Sequence, residues 1–284
     1  MLSENITEYN NQKFRTISLL NCSFKIFTKV ITNRLATIID RLISYQQSAF
    51  IRGRFILESV VTADEIIHEV HRKNDQGLVF KIDYEKAYDK VNLEFLFEIL
   101  ELRGFSPTFV RIIKQITQGG SVGVKINDTE SDFFLTGKCL RQGDPLAPLL
   151  FNNVVDVFSK MLIKGSNGNL IRGLCPRFNP GGVVCLQYAE DTLLFLENDS
   201  EVATNLKYIL TCFEQISGMR INYHKSALIP INVSSEDLQR FIDIFQCVAA
   251  DFPVKYLGIP LHYDRLRREH LQPIIESIIK RIAS

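Results

Sequence analysis

The sequence has no tryptophan, only three methionines, and no apolar run of membrane-spanning length. A membrane-crossing helix needs about 20 consecutive apolar residues. The polar N-terminus does not resemble a secretory leader. Its six cysteines (Cys22, Cys139, Cys175, Cys185, Cys212, Cys247) are scattered, and no two have zinc-ligand spacing. Several sit in apolar runs, so they read as reduced core thiols of an intracellular protein rather than a disulfide framework or zinc centre. No targeting signal separates nucleus from cytoplasm. Repeats and low-complexity tracts are absent too, which excludes solenoids and disordered linkers. Strong charge of either sign is also lacking: the formal net charge is +1.

What is present is a large apolar fraction, 46%, enough for a sizeable core. Charge is distributed unevenly. Residues 1–54 carry eight Lys/Arg against three acids, net +5, and residues 265–281 carry five against two, net +3. Basic ends around an acidic middle fit a groove for a polyanion, and solvated helix faces would give the same count.

The most informative stretch is Gln187-Tyr188-Ala189-Glu190-Asp191-Thr192. Apolar residues run into it (Val183 to Leu186) and out of it (Leu193 to Leu196). Two short apolar runs around a polar centre predict a β-hairpin with the acids at its tip. A second strand pattern, Leu78-Val79-Phe80-Lys81-Ile82, also runs into an acid, Asp83.

Around these, the periodicity predicts helices. Ile26, Phe27, Val30, Ile31, Leu35, Ile38, Ile39 and Leu42 recur at helical spacing as the apolar face of one or two helices. Further helices are expected over 56–70, after an Asn92 cap (Leu93, Leu96, Phe97 and Leu100 inward), from Pro107, from Pro145 through Met161, and over 201–217 and 235–247. Val122–Ile126 and Phe133–Leu135 look like a hairpin across Asn127-Asp128.

Seven blocks follow one another in order. They are Phe14-Arg15-Thr16-Ile17-Ser18-Leu19-Leu20; Gln47-Ser48-Ala49-Phe50-Ile51-Arg52-Gly53-Arg54; Lys81 to Asp89; Leu140-Arg141-Gln142-Gly143-Asp144-Pro145-Leu146; Tyr188-Ala189-Glu190-Asp191; Gly218 to Ser226; and Tyr256-Leu257-Gly258-Ile259-Pro260-Leu261. In this content and order the chain resembles the reverse transcriptase domain of non-LTR (LINE-type) retrotransposons. The resemblance covers about Gln12 to His262.

The resemblance implies an α+β, right-hand polymerase fold: helical fingers and a palm of antiparallel sheet packed on helices, with the thumb partial or absent. It divides the chain into a disordered tail at 1–11, the reverse transcriptase domain at 12–262, and the start of a truncated thumb or connection helix at 263–284. It implies RNA-directed DNA polymerase activity, with an RNA template, a DNA primer and deoxynucleoside triphosphates as partners. Two Mg²⁺ ions would be the cofactors, with Mn²⁺ able to substitute, held by Asp83, Glu190 and Asp191. By the same resemblance Tyr84 offers a backbone carbonyl, Tyr88 is the aromatic gate beneath the sugar, and Gln142 contacts the nucleotide from the opposite side. Gly143 permits close approach, and Arg52 or Arg54 holds the triphosphate. Lys225 protonates the pyrophosphate leaving group. Tyr256, Leu257 and Gly258 belong to the primer grip. Oligomeric state is left open, and no membrane contact is expected.

The chain also departs from the family. The usual tetrad is Tyr-Ala-Asp-Asp, and here Glu190 stands third. Glutamate keeps the charge and moves the carboxylate out by about one bond length, and a misplacement of about 1 Å can cost ~10²-fold in rate. Arg15-Thr16-Ile17 lacks a usual proline, and Leu93 stands where tryptophan is frequent. At 284 residues the chain is short for a family that carries an endonuclease upstream and nucleic-acid-binding segments downstream. A partial or decayed copy is therefore expected. The alternative function is a catalytically inactive remnant with at most nucleic-acid binding. An RNA-directed RNA polymerase is a weaker third reading, disfavoured by the Arg141-Gln142-Gly143-Asp144-Pro145 block and by Tyr88.

Overall fold

Several helix starts in this chain are written in short polar side chains. In a computed structural model, which describes residues 18, 20–123, 125–126, 129–135 and 140–282, Asn92 accepts hydrogen bonds from the amides of Glu94 and Phe95. Ser106 caps the next helix ahead of Pro107, Asp199 accepts from Glu201 and Val202, and Ser234 accepts from Asp237. Each cap satisfies amides that have no partner within the helix, a contribution of about 1 kcal/mol. The expected tail at 1–11, most of the first block, Asn127-Asp128 and Cys139 lie outside the described residues.

The chain begins with α1 (Cys22–Ala36), α2 (Ile39–Leu42) and α3 (Ile56–Arg72). Strand β1 (Gly77–Ile82) leads into α4 (Ala87–Lys90), α5 (Leu93–Leu102) and α6 (Pro107–Gln118). Four two-residue strands follow: β2 (Ser121–Val122), β3 (Lys125–Ile126), β4 (Thr129–Glu130) and β5 (Phe134–Leu135). Pairing of β2 with β5 and of β3 with β4 makes the expected hairpin. After α7 (Ala147–Asn167) come β6 (Cys185–Tyr188), β7 (Asp191–Glu197), α8 (Ser200–Ser217) and β8 (Ala227–Ile231). The last elements are α9 (Ser235–Phe245), β9 (Val248–Ala249), β10 (Val254–Tyr256), β11 (Ile259–Leu261) and α10 (Arg268–Ile282).

The main sheet has the order β6-β7-β1-β8-β9. Its pairs are antiparallel except β8 with β9, a short parallel edge. Both faces are covered, so the strands are apolar at odd and even positions alike. Leu78, Phe80, Leu194, Leu196 and Leu228 face the larger core, shared with α5, α7, α8 and α9. Val79, Leu193, Phe195, Ile229 and Ile231 face the smaller core, shared with α3 and the β10–β11 hairpin. This is the α+β palm, a sheet packed on helices, that the block order implies.

Two expectations need correction. Half of the N-terminal apolar stripe faces solvent: Ile26, Phe27, Val30 and Ile38 are exposed, whereas Leu35 and Ile39 are buried. Helix α1 docks through Phe24, Thr28, Ile31 and Leu35, spaced four, three and four residues apart, and so turns Phe27 and Val30 outward. The cysteines do not all lie in the core. Cys175, Cys185 and Cys247 are buried, and Cys22 and Cys212 are exposed on helices.

Candidate active site

The acidic tip is a hairpin loop of two residues. Tyr188 pairs with Asp191, leaving Ala189 and Glu190 to turn. Ala189 has φ +54°, in the left-handed region that costs a non-glycine residue about 1–2 kcal/mol. In the register between β1 and β7 the last pair is Ile82 with Thr192. The next residue of each strand is therefore Asp83 and Asp191, which stand opposite each other. Directly opposed residues of an antiparallel pair share a face, with Cβ atoms about 4.5–5.5 Å apart. Both aspartates continue the odd-numbered positions, so they lie on the α3 and β10–β11 side of the sheet. Both are exposed.

Like charges placed opposite one another are destabilising. Hard oxygen donors on two separate strands at an exposed sheet end suit a divalent cation such as Mg²⁺. The donor chemistry therefore fits the implied ions. Among the described residues, no three His, Cys, Asp or Glu side chains converge as a ready cation cage. The three-carboxylate set Asp83, Glu190 and Asp191 is thus not collapsed on one point.

Glu190 instead lines a pocket of about 200 Å³ with Tyr84, Tyr88, Gln142 and Gly143. Four residues expected at a nucleotide therefore meet in one cavity. Tyr88 is half-buried and stacks on Phe151, with ring centroids 4.2 Å apart and 13° between planes. Phe151 is fully buried on α7, so the tyrosine has a rigid backstop. The Tyr84 side chain is buried, and burial pushes its phenol well above the ordinary value. Gly143 has φ +102°, and a Cβ there would approach the Ser18 carbonyl oxygen at 3.0 Å. The neighbouring Gln142 carbonyl accepts from the Ser18 amide at 3.0 Å. Glycine is thus required by the protein's own backbone at this point.

Lys225 is exposed on a turn beside Asp83. The Asn222 amide donates to the Asp83 carbonyl at 2.8 Å, and the Lys225 amide donates back to Asn222 at 3.0 Å. The Asp83 amide donates to Ser226 Oγ at 3.0 Å. The lysine therefore sits on the β8 flank of Asp83, away from Asp191.

The Tyr256-Leu257-Gly258 segment splits. Tyr256 is a core anchor, 1% exposed, while Leu257 (φ +49°) and Gly258 (φ +89°) form the turn of β10–β11. Burial raises the Tyr256 phenol, with added contributions from Cys185 and the nearby Asp191 charge. Lys81 Nζ, two residues before Asp83, donates to the Lys255 carbonyl at 2.8 Å. The hairpin is thereby tied to the acidic end of the sheet.

The two arginines have different fates. Arg54 donates to Asp40 and to the carbonyls of Ser44, Gln47 and Ile43, at 2.6–3.0 Å. That network occupies its guanidinium, so its place in the structure is to brace the loop after α2. Arg52 is exposed on the turn before Gly53 and does not line the pocket. Gln47, Phe151 and Asp156 carry structural roles that no motif in the sequence marks. Their signal was faint: Asn152, Asn153 and Asp156 interrupt an otherwise apolar helix, and polar residues so placed are buried with partners.

Residues 6–261 match the family described as reverse transcriptase (RNA-dependent DNA polymerase). The chain is similar to the transposon TX1 uncharacterized 149 kDa protein of Xenopus laevis, 29% identical over 218 residues, covering 76% of this chain and 16% of that protein. It is also similar to the Pol polyprotein from the type-2 retrotransposable element R2DM of Drosophila melanogaster, 23% identical over 233 residues, covering 81% and 21%. The chain thus spans about a fifth or less of the length of these relatives. Telomerase of Candida albicans, solved with a TWJ fragment of telomeric RNA, superposes with a TM-score of 0.54 at 11% identity, over 83% of this chain and 37% of that one. At that identity the likeness is one of fold, with fingers and palm. No described helix is long and apolar enough to cross a membrane. Fold and matched span lead to one placement: the chain belongs to the reverse transcriptase family, and the relatives it is similar to are retrotransposon proteins.

Proposed function

We propose that this chain is the polymerizing core that extends a DNA primer along an RNA template, adding deoxynucleotides to the primer 3′-hydroxyl. The observation that carries the reading is the register that runs out of β1 and β7 to set Asp83 opposite Asp191, with Glu190 of the same hairpin tip lining a pocket with Tyr88 and Gln142. Asp83 and Asp191, with Glu190 reaching from the pocket side, are the oxygen donors for the divalent ions. Two such ions, when bound, stabilise the attacking and leaving oxygens of the displacement.

The chain's own groups do the rest. Glu190, Tyr84, Tyr88, Gln142 and Gly143 enclose the nucleotide. The Tyr88 ring, backed by Phe151, is in this reading the gate that excludes a ribose 2′-hydroxyl. Lys225, on the flank of Asp83, donates a proton to the departing pyrophosphate. Of the two arginines around Gly53, Arg52 is the exposed one and is assigned to the triphosphate, with Lys86 and Arg141 as the cations that line the pocket itself. The Leu257-Gly258 turn meets the primer strand.

Primer extension by the natural protein beside Glu190→Asp tests this. The shorter carboxylate should raise kcat by about ten- to a hundred-fold with little change in KM, because the gain belongs to the transition state. Low salt and excess primer–template keep weak binding from hiding the gain. Equal extension by both proteins would clear Glu190 of any defect. The second reading, nucleic-acid binding without turnover, is favoured by one observation, the glutamate itself. It holds if both proteins bind primer–template and neither extends it.

Tyr88→Ala should separate gate from core. The expected result is incorporation of ribonucleotides at least about ten-fold closer to deoxynucleotides, the scale on which a pocket discriminates a small group. Matched kcat/KM measurements for the two nucleotides on one template read it out. Unchanged discrimination would leave Tyr88 a packing residue of Phe151.

A further inference from the structure

Gln47 is fully buried, yet its side chain does not serve its own segment alone. Its Oε1 accepts from the Ala189 amide at 2.9 Å and from the Ala49 amide at 3.0 Å. Its Nε2 donates to the Ala189 carbonyl at 3.3 Å. One side chain thus grips both polar groups of the residue that holds φ +54° at the hairpin tip. Backbone contacts reinforce the grip: the Gln187 amide donates to the Gln46 carbonyl at 2.8 Å, and the Ser48 amide donates to the Gln187 carbonyl at 3.0 Å.

A two-residue hairpin loop in the left-handed region is ordinarily given to glycine or asparagine. Alanine there, followed by two acids, has no local reason to keep that conformation. We infer that Gln47 is a positioning residue, whose amide holds Ala189 in place and thereby fixes where the Glu190 and Asp191 carboxylates stand. It touches neither substrate nor carboxylate. The inference rests on the polymerase reading for its consequence in rate, and on the hairpin alone for its consequence in structure.

The experiment therefore has two arms. Gln47→Met keeps the volume and removes the hydrogen bonds, and Gln47→Glu keeps an acceptor for both amides and loses the donor. Hydrogen exchange of the peptide containing Ala189, measured on the whole chain, should be at least about ten-fold faster in Gln47→Met, with partial protection kept in Gln47→Glu and unchanged exchange in α5 and α7. Primer extension by Gln47→Met should show kcat lower by about ten- to a hundred-fold, with the nucleotide KM within about two-fold. Faster exchange spread evenly over the core would make Gln47 a stability residue and overturn the inference. So would unchanged exchange at Ala189. If the natural protein extends no primer, the polymerase reading fails, while the exchange arm still decides whether Gln47 holds the turn.

Discussion

Asp83→Asn should lower primer extension by about 10³-fold, the scale on which removal of one group that stabilises developing charge is felt. Asparagine preserves shape and removes the charge on which ion binding depends. The side chain is exposed, and the segment is held through its backbone: the Asp83 amide on Ser226 Oγ and the Asp83 carbonyl on the Asn222 amide. Thermal stability should therefore stay within about 0.5 kcal/mol of the natural protein, as for other surface changes. Single-turnover extension with saturating nucleotide, run in the Glu190→Asp protein where the signal is larger, isolates the chemical step. More than a tenth of the parent rate would remove Asp83 from the catalytic set.

Asp156→Asn should give the largest loss of stability. Asp156 is fully buried on α7. It accepts from the Ser44 amide at 2.6 Å and pairs with Arg103 and, at 3.0 Å, with Lys160. Arg103, itself only 9% exposed, also donates to the Leu42 carbonyl at 2.9 Å. One carboxylate therefore fastens α7 to the loop after α2 and to the end of α5. Removing one partner of a buried pair leaves the other charge uncompensated, at about 3–5 kcal/mol. For a chain of this size that lowers the thermal midpoint by about 10 °C.

The pH dependence gives a second check. Burial alone would raise the Asp156 pKa, but the Ser44 hydrogen bonds and the Arg103 charge outweigh it and hold the group below the usual carboxylate range. Its stabilisation is accordingly complete above the ordinary value, about 3.9, and is lost as pH falls through the folded one. The gap between natural and Asp156→Asn proteins should be full at pH 7 and narrow below about pH 4. A gap that stays constant into acid would mean that packing, and not charge, accounts for the loss.

Much of the palm is legible in the chain as written. Two apolar runs around Tyr188–Asp191 and a third into Asp83 are strand patterns, and the structure pairs them as β6, β7 and β1. The caps at Asn92, Ser106, Asp199 and Ser234 mark helix starts by a local hydrogen bond, which needs no knowledge of the rest of the fold. The sequence also determined the family, because seven blocks in order carry more information than any one motif.

Three features were decided only by the tertiary structure. Periodicity identified α1 as amphipathic but not which residues dock: the core takes Phe24, Thr28, Ile31 and Leu35 and leaves Phe27 and Val30 to solvent. Two arginines flanking Gly53 look equivalent in one dimension, yet the carbonyls around α2 consume Arg54 and leave Arg52 exposed. Gln47 lies 142 residues from Ala189, and no local rule joins them. The physical reason is common to all three. Strand alternation and helix capping are set by neighbours in the chain, whereas the satisfaction of a buried donor or acceptor depends on whatever the fold brings within about 3 Å.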